Sequence, residues 1–127
     1  MDQSAPRLAH PLCILVVDDE PLVRFVALEM FAEEGFRVLE AGSAREAITI
    51  LSGGWATIDL VFSDIQMPGG LDGCDLARWV RDNMPGIRVI LTSGRVLDEA
   101  LPGDLRALAP ILRKPYRPDE AVSRVRV

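Results

Sequence analysis

A chain of 127 residues is one domain by size, long enough to bury roughly two-thirds of the surface its unfolded form exposes. Hydrophobic residues at 49% and charged residues at 26% are ordinary for a soluble globular protein, and a net charge of −5 with scattered arginines argues against direct nucleic-acid binding, which needs a basic stripe. No run approaches the roughly 18 apolar residues of a membrane span, and MDQSAPRLAHP lacks the basic start and apolar centre of a signal peptide, so a cytoplasmic protein without membrane insertion is expected.

Residues 1–11 read as a polar, proline-bounded tail in which His10 stands alone and solvated; the domain is expected over 12–127. Leu12 to Val17 is a short continuous apolar run, β-branched in part, which suits a strand buried on both faces. Pro21 then occupies a natural first helical position, and Leu22 to Glu34 carries Leu22, Phe25, Val26 and Met30 at helical spacing before Gly35 stops it. Phe36 to Glu40 reads as a second strand. Ser43 with Glu46 suggests a capping box ahead of Ala47, Ile48 and Leu51, and Gly53 and Gly54 end that helix.

Ile58 to Ser63 is the third strand, followed by the loop MPGGLDG and a helix from Asp75 to Asn83 with Leu76, Trp79 and Val80 on its inner face; Trp79 reads as core rather than binding site. Val89 to Thr92 is the fourth strand, and Ile111 with Leu112 a brief fifth. Between them Pro102 and Gly103 interrupt any helix begun at Val96, so the fourth helix is expected to be irregular or shortened. A last helix starts near Pro118 and Asp119. Cys13 and Cys74 have no paired spacing and read as small buried hydrophobes in a reducing compartment.

Five strands alternating with helices predict a single α/β domain: a flavodoxin-like, doubly wound parallel sheet of order 2-1-3-4-5. In that order the C-terminal strand ends line one crevice. Asp18, Asp19 and Glu20 end the first strand run, Asp64 the third, and the hydroxyls of Thr92 and Ser93 the fourth. Lys114, the only lysine among fourteen basic residues, follows the fifth. Strand five lies two places from strand three, about 10 Å away, a gap that a lysine largely spans and a serine would not.

Acids gathered at one crevice repel each other, and a hard divalent cation with oxygen ligands relieves this. Mg2+ is the expected cofactor, because it accepts one or two carboxylates, keeps waters and bridges to phosphate oxygens. Asp19 and Asp64 would bind it directly, the backbone carbonyl of Gln66 would be a third ligand, and Asp18 would act through water. An aspartate can also attack a phosphoryl group, in a transfer that is mostly positioning and charge neutralisation. Each signal has a plainer reading: the tandem acids cap a helix, Asp64 caps a loop, Lys114 is solvated, and the hydroxyls satisfy backbone groups.

Taken together, the motifs VVDDE, D-x-x-MP with a following DG, a hydroxyl beside a small residue, and KP make residues 12 to 124 resemble the receiver domain of two-component response regulators and hybrid sensor kinases. The resemblance implies that Asp64 accepts a phosphoryl group from a phosphohistidine on a sensor histidine kinase or a histidine phosphotransfer protein. It further implies that Asp18 and Asp19 hold magnesium, that Lys114 contacts the phosphoryl group, and that the peptide before Pro115 is cis. Ser93 is the expected switch hydroxyl, with Thr92 the alternative, since counting from Gly73 favours the first and counting back from Lys114 the second. Gly94 would leave the phosphoryl group open to approach, while Gln66 and Arg95 flank the site.

The chain also departs from the family pattern. Ile111 stands where many receivers carry Tyr or Phe three residues before the lysine, which puts an aromatic-rotation switch in doubt. The loop after Pro68 is one residue longer, through Gly69 and Gly70. A homodimer is admitted but not assumed, and a stand-alone regulator or a receiver cut from a larger kinase is expected. Two rival readings remain. A degenerate receiver would keep the fold as a phosphate-independent binding module. An aspartyl-phosphate phosphatase of the haloacid-dehalogenase type would need a general acid where Gln66 stands.

Overall fold

The computed structural model describes residues 11–54, 56–94 and 109–127. The expectations for His10 and the rest of the tail, for Arg95 and for the interrupted segment from Val96 to Leu108 lie outside those residues. In chain order the elements are β1 (Cys13–Val17), α1 (Pro21–Glu33), β2 (Arg37–Ala41), α2 (Ala44–Gly53), β3 (Leu60–Asp64), α3 (Gly73–Asn83), β4 (Arg88–Ser93), β5 (Ile111–Arg113) and α4 (Pro118–Arg126). The five strands form one sheet of order β2-β1-β3-β4-β5, every pair parallel, which is the expected doubly wound topology.

Both faces of the sheet are covered, and strand alternation divides the core in two. Cys13, Leu15 and Val17 of β1 face the side packed by Ala47 and Leu51 of α2 and Leu76, Ala77 and Val80 of α3. Ile14 and Val16 face the other side, with Phe62, Ile90 and Leu112 from neighbouring strands, Ala27 and Phe31 of α1, and Ala121, Val122 and Val125 of α4. Every residue of β1 and β3 is buried. Phe31 anchors the second cluster: it meets Phe62 edge-on at a centroid distance of 5.0 Å and Phe36 at 6.0 Å. A side chain of that size contributes about 2–3 kcal/mol through burial. Trp79 is partly buried against the first cluster, and Cys13 and Cys74 are buried and not disulfide-bonded.

Helical spacing locates α1 but not its buried face. In α1 the fully buried residues are Ala27 and Phe31, whereas Leu22, Phe25 and Val26 are 80%, 57% and 65% exposed. The helix carries apolar residues on two stripes, and the one picked out by its larger side chains is mostly the outward one. The helix termini hold a second difference. Ser43 does cap α2, its hydroxyl accepting the Glu46 N–H at 3.0 Å, but Glu46 accepts from Gly42 N at 2.6 Å rather than from the cap residue. The reciprocal box is at α3, where Asp72 Oδ1 accepts Asp75 N–H and Asp75 Oδ2 accepts Asp72 N–H, both at 2.9 Å. That box starts the helix at Gly73, two residues before the expected start.

Candidate functional site

Val16, Phe62 and Leu112 all point into the core beneath α1 and α4. Two residues beyond each stand Asp18, Asp64 and Lys114, so the strand period carries these three side chains to the same side at the C-terminal edge. The geometry bears this out: Lys114 Nζ lies 3.6 Å from Asp18 Oδ2 and 3.5 Å from Asp64 Oδ1. Asp19 joins them, and one carboxylate oxygen from each of Asp18, Asp19 and Asp64 lies within 4.8 Å of the others.

Local contacts hold each member. The Asp18 N–H donates to Ala41 O at 3.2 Å, and its Oδ1 accepts the Glu20 N–H at 3.0 Å, so this acid does help to turn the chain into α1. Arg24 clamps the turn, donating to the Asp18 carbonyl at 2.6 Å and to Glu40 Oε1 at 2.7 Å. Asp64 is the last residue of β3 and the register partner of Thr92. Its carbonyl accepts the buried Ser63 hydroxyl at 2.9 Å. The start of α3 presses on the same carbonyl: a Cβ built on Gly73 would lie 2.2 Å from Asp64 O and 2.8 Å from Ile65 Cα. Only glycine permits that approach. Lys114 is tied through its N–H to Ser93 O at 2.8 Å, and the Lys114–Pro115 peptide is cis.

Electrostatics sets Asp64 apart. Burial pushes its carboxyl above the usual aspartate range; Lys114 opposes this, and the charges of Asp18 and then Asp19 add to the upward push. At 3.5 Å the ammonium is an electrostatic neighbour rather than a well-made hydrogen bond, and Asp64 Oδ1 is buried without a hydrogen-bond partner among the described residues. A buried, unpartnered carboxylate oxygen beside two further carboxylates is what a hard cation with oxygen ligands would satisfy. The same acids act on Tyr116, whose phenol is pushed up to about 12 by burial and then by the charges of Asp18 and Asp64.

Thr92 and Ser93 are both buried, and the Ser93 hydroxyl donates to Gln66 Oε1 at 3.4 Å. Gly94 and Lys114 border an apolar groove of about 610 Å³ shared with Leu22, Val26 and Tyr116. Ile111 is partly buried against the α2 and α3 side of the core. Gly69 and Gly70, in the loop after Pro68, have φ of +99° and +94°. Arg24 and Ser63 act across folds or through backbone that spacing does not reveal; Gly73 was visible in the DG dipeptide, but its close approach was not.

The model of the response regulator receiver domain family matches residues 14–126. The chain is 34% identical over 117 residues to the sensor kinase CckA of Brucella abortus, covering 90% of this chain and 12% of that kinase. Among solved structures, the response regulator TrrA of Thermotoga maritima, crystallised with Mg2+ and BeF, matches with a TM-score of 0.81 at 30% identity over 91% of this chain and 96% of the other. The receiver domain of the hybrid histidine kinase CckA matches with a TM-score of 0.73 at 33% identity, covering 90% and 95%. The chain spans about half or less of the length of the curated relatives it matches. Among the described residues no helix is long and apolar enough to cross a membrane.

Proposed function

We propose that this chain, which belongs to the response regulator receiver family, is a cytoplasmic phosphoacceptor that takes a phosphoryl group onto Asp64 from a phosphohistidine and switches conformation in response. The observation that carries this reading is the convergence of Asp18, Asp19, Asp64 and Lys114 around a buried, unpartnered Asp64 oxygen. A carboxylate oxygen of Asp64 attacks phosphorus, the P–N bond to the donor imidazole breaks, and that nitrogen takes up a proton. The product is a mixed anhydride. Lys114, a point charge on a flexible stem, follows the transferred oxygens and offsets their charge.

Asp18, Asp19, Asp64 and the Gln66 carbonyl would hold Mg2+, which when bound neutralises charge on the acids and on the phosphoryl oxygens. Ser93 is the better candidate for the switch hydroxyl. A phosphoryl group extends beyond the carboxylate along the strand, to the level of the residue after Thr92, the register partner of Asp64. Ser93 would then donate to it and carry the following loop along. The donor is a protein, a sensor histidine kinase or a histidine phosphotransfer protein. The apolar groove that reaches Lys114 and Gly94, flanked by exposed Leu22, Phe25 and Val26, supports docking of a helical partner beside the acid.

Mass measurement after incubation with acetyl phosphate and Mg2+ tests the reading. One added phosphoryl group is expected in the native chain and none in Asp64→Asn. An adduct in neither protein, or equally in both, would overturn it.

A further inference from the structure

We infer that the Gln66 side chain is a latch on the Ser93 hydroxyl, holding it in a resting position from which it must be released when a phosphoryl group arrives. This rests on the reading of Ser93 given above. Ser93 is buried, and its hydroxyl donates to Gln66 Oε1, a contact that bridges the loop after β3 and the end of β4. A hydroxyl has a single proton to donate. It cannot stay directed at Gln66 while donating to an oxygen on Asp64, so the two bonds exclude each other.

The length of the contact fits a releasable latch. At 3.4 Å it is long for O–H···O, so it biases the hydroxyl without locking it. Gln66 is also only two residues past Asp64, and its backbone carbonyl belongs to the proposed metal set. One residue would thus touch the cation through its main chain and the switch through its side chain. Removing the carboxamide takes an acceptor from the resting state alone, because the phosphorylated state no longer uses it. The liganded form should therefore become easier to reach. Gln66 is a positioning residue, acting through Ser93.

The test is the affinity for beryllofluoride, a phosphoryl analogue, in the presence of Mg2+, followed by fluorine NMR of the bound species in native chain, Gln66→Ala, Gln66→Leu, Ser93→Ala and the two double variants. Both Gln66 variants should bind beryllofluoride about threefold more tightly than the native chain. The gain should vanish in the Ser93→Ala background, since no hydroxyl remains to be released. Unchanged or weaker binding, or an equal gain with and without Ser93, overturns the latch. A native chain that binds no beryllofluoride overturns the receiver reading together with the latch, which separates that failure from failure of the latch alone.

Discussion

Lys114→Met removes the cation that, among the described residues, lies between Asp18 and Asp64 while keeping most of the apolar stem. At an effective dielectric of about 20, a pair at 3.5 Å is worth about 5 kcal/mol, and the second pair at 3.6 Å about the same. Those gross attractions are opposed by the cost of drying the lysine, and its side chain is still 26% exposed, so solvent screens it. The expected net loss is about 2–3 kcal/mol at neutral pH, below the range for fully buried pairs. The pH dependence gives the test its force. A carboxyl whose folded pKa is raised holds its proton more tightly in the native state, so native stability is greatest below the ordinary aspartate value and declines as pH rises toward the folded one. Without Lys114 the Asp64 carboxyl rises further and the decline becomes larger. The deficit of Lys114→Met should therefore be small below about pH 4 and full at neutrality, read by urea denaturation at each pH. Added Mg2+ should restore more stability to the variant than to the native chain. A deficit that is absent at neutral pH, or that persists unchanged in acid, would refute the reasoning.

Asp64→Asn removes a carboxyl whose folded pKa is raised and should stabilise the divalent-free protein at neutral pH, with the gain lost in acid as the native Asp64 takes up its proton; equal stability at neutral pH in urea melts would contradict this. Gly73→Ala should cost about 3 kcal/mol and weaken beryllofluoride binding as well, because its Cβ can be accommodated only by moving α3 or the end of β3. Asp72→Ala opens the capping box and should cost about 1 kcal/mol in thermal or urea unfolding, without abolishing the acetyl phosphate adduct.

Much of the fold was legible because the sheet is covered on both sides. β1, β3 and β4 read as apolar runs, and their bounds shift by only one or two residues. The shifts are local: Ala41 still pairs with Val17, which extends β2, and the pairing of β3 with β1 begins at Leu60, opposite Ile14. The box at Asp72 and Asp75 was present in the sequence, but with Asp in both places it is a less familiar signal than Ser with Glu. The two-striped α1 was ambiguous at any period. Leu22, Phe25, Val26 and Met30 satisfy helical spacing as well as Ala27 and Phe31 do, and only the neighbours decide which stripe turns inward. Long-range polar ties could not be read at all. Arg88 donates to the carbonyls of Val125 and Arg124, 37 and 36 residues away, closing the end of α4, and nothing near Arg88 in sequence announces it.

The acids at the strand ends were legible for a different reason: they break the pattern. Among the described residues the buried polar side chains are Asp18, Ser63, Asp64, Thr92 and Ser93, all at C-terminal strand ends, where alternation would otherwise continue with apolar side chains. Asp18, Ser63 and Ser93 are held by donors or acceptors within the protein. Asp64 Oδ1 is not. Among the described residues, three carboxylates and one ammonium meet at the site and leave a local charge of −2, which a single dication cancels. Phosphorylation of Asp64 replaces one negative charge by about two, so the loaded site again has an excess that neither Lys114 nor that ion removes. Neutral donors can supply what remains, and on the reading proposed above one of them is the buried Ser93 hydroxyl, which contacts Gln66. Under the proposed function, a motion of Ser93 toward the loaded oxygens would relieve that excess and report it in one movement.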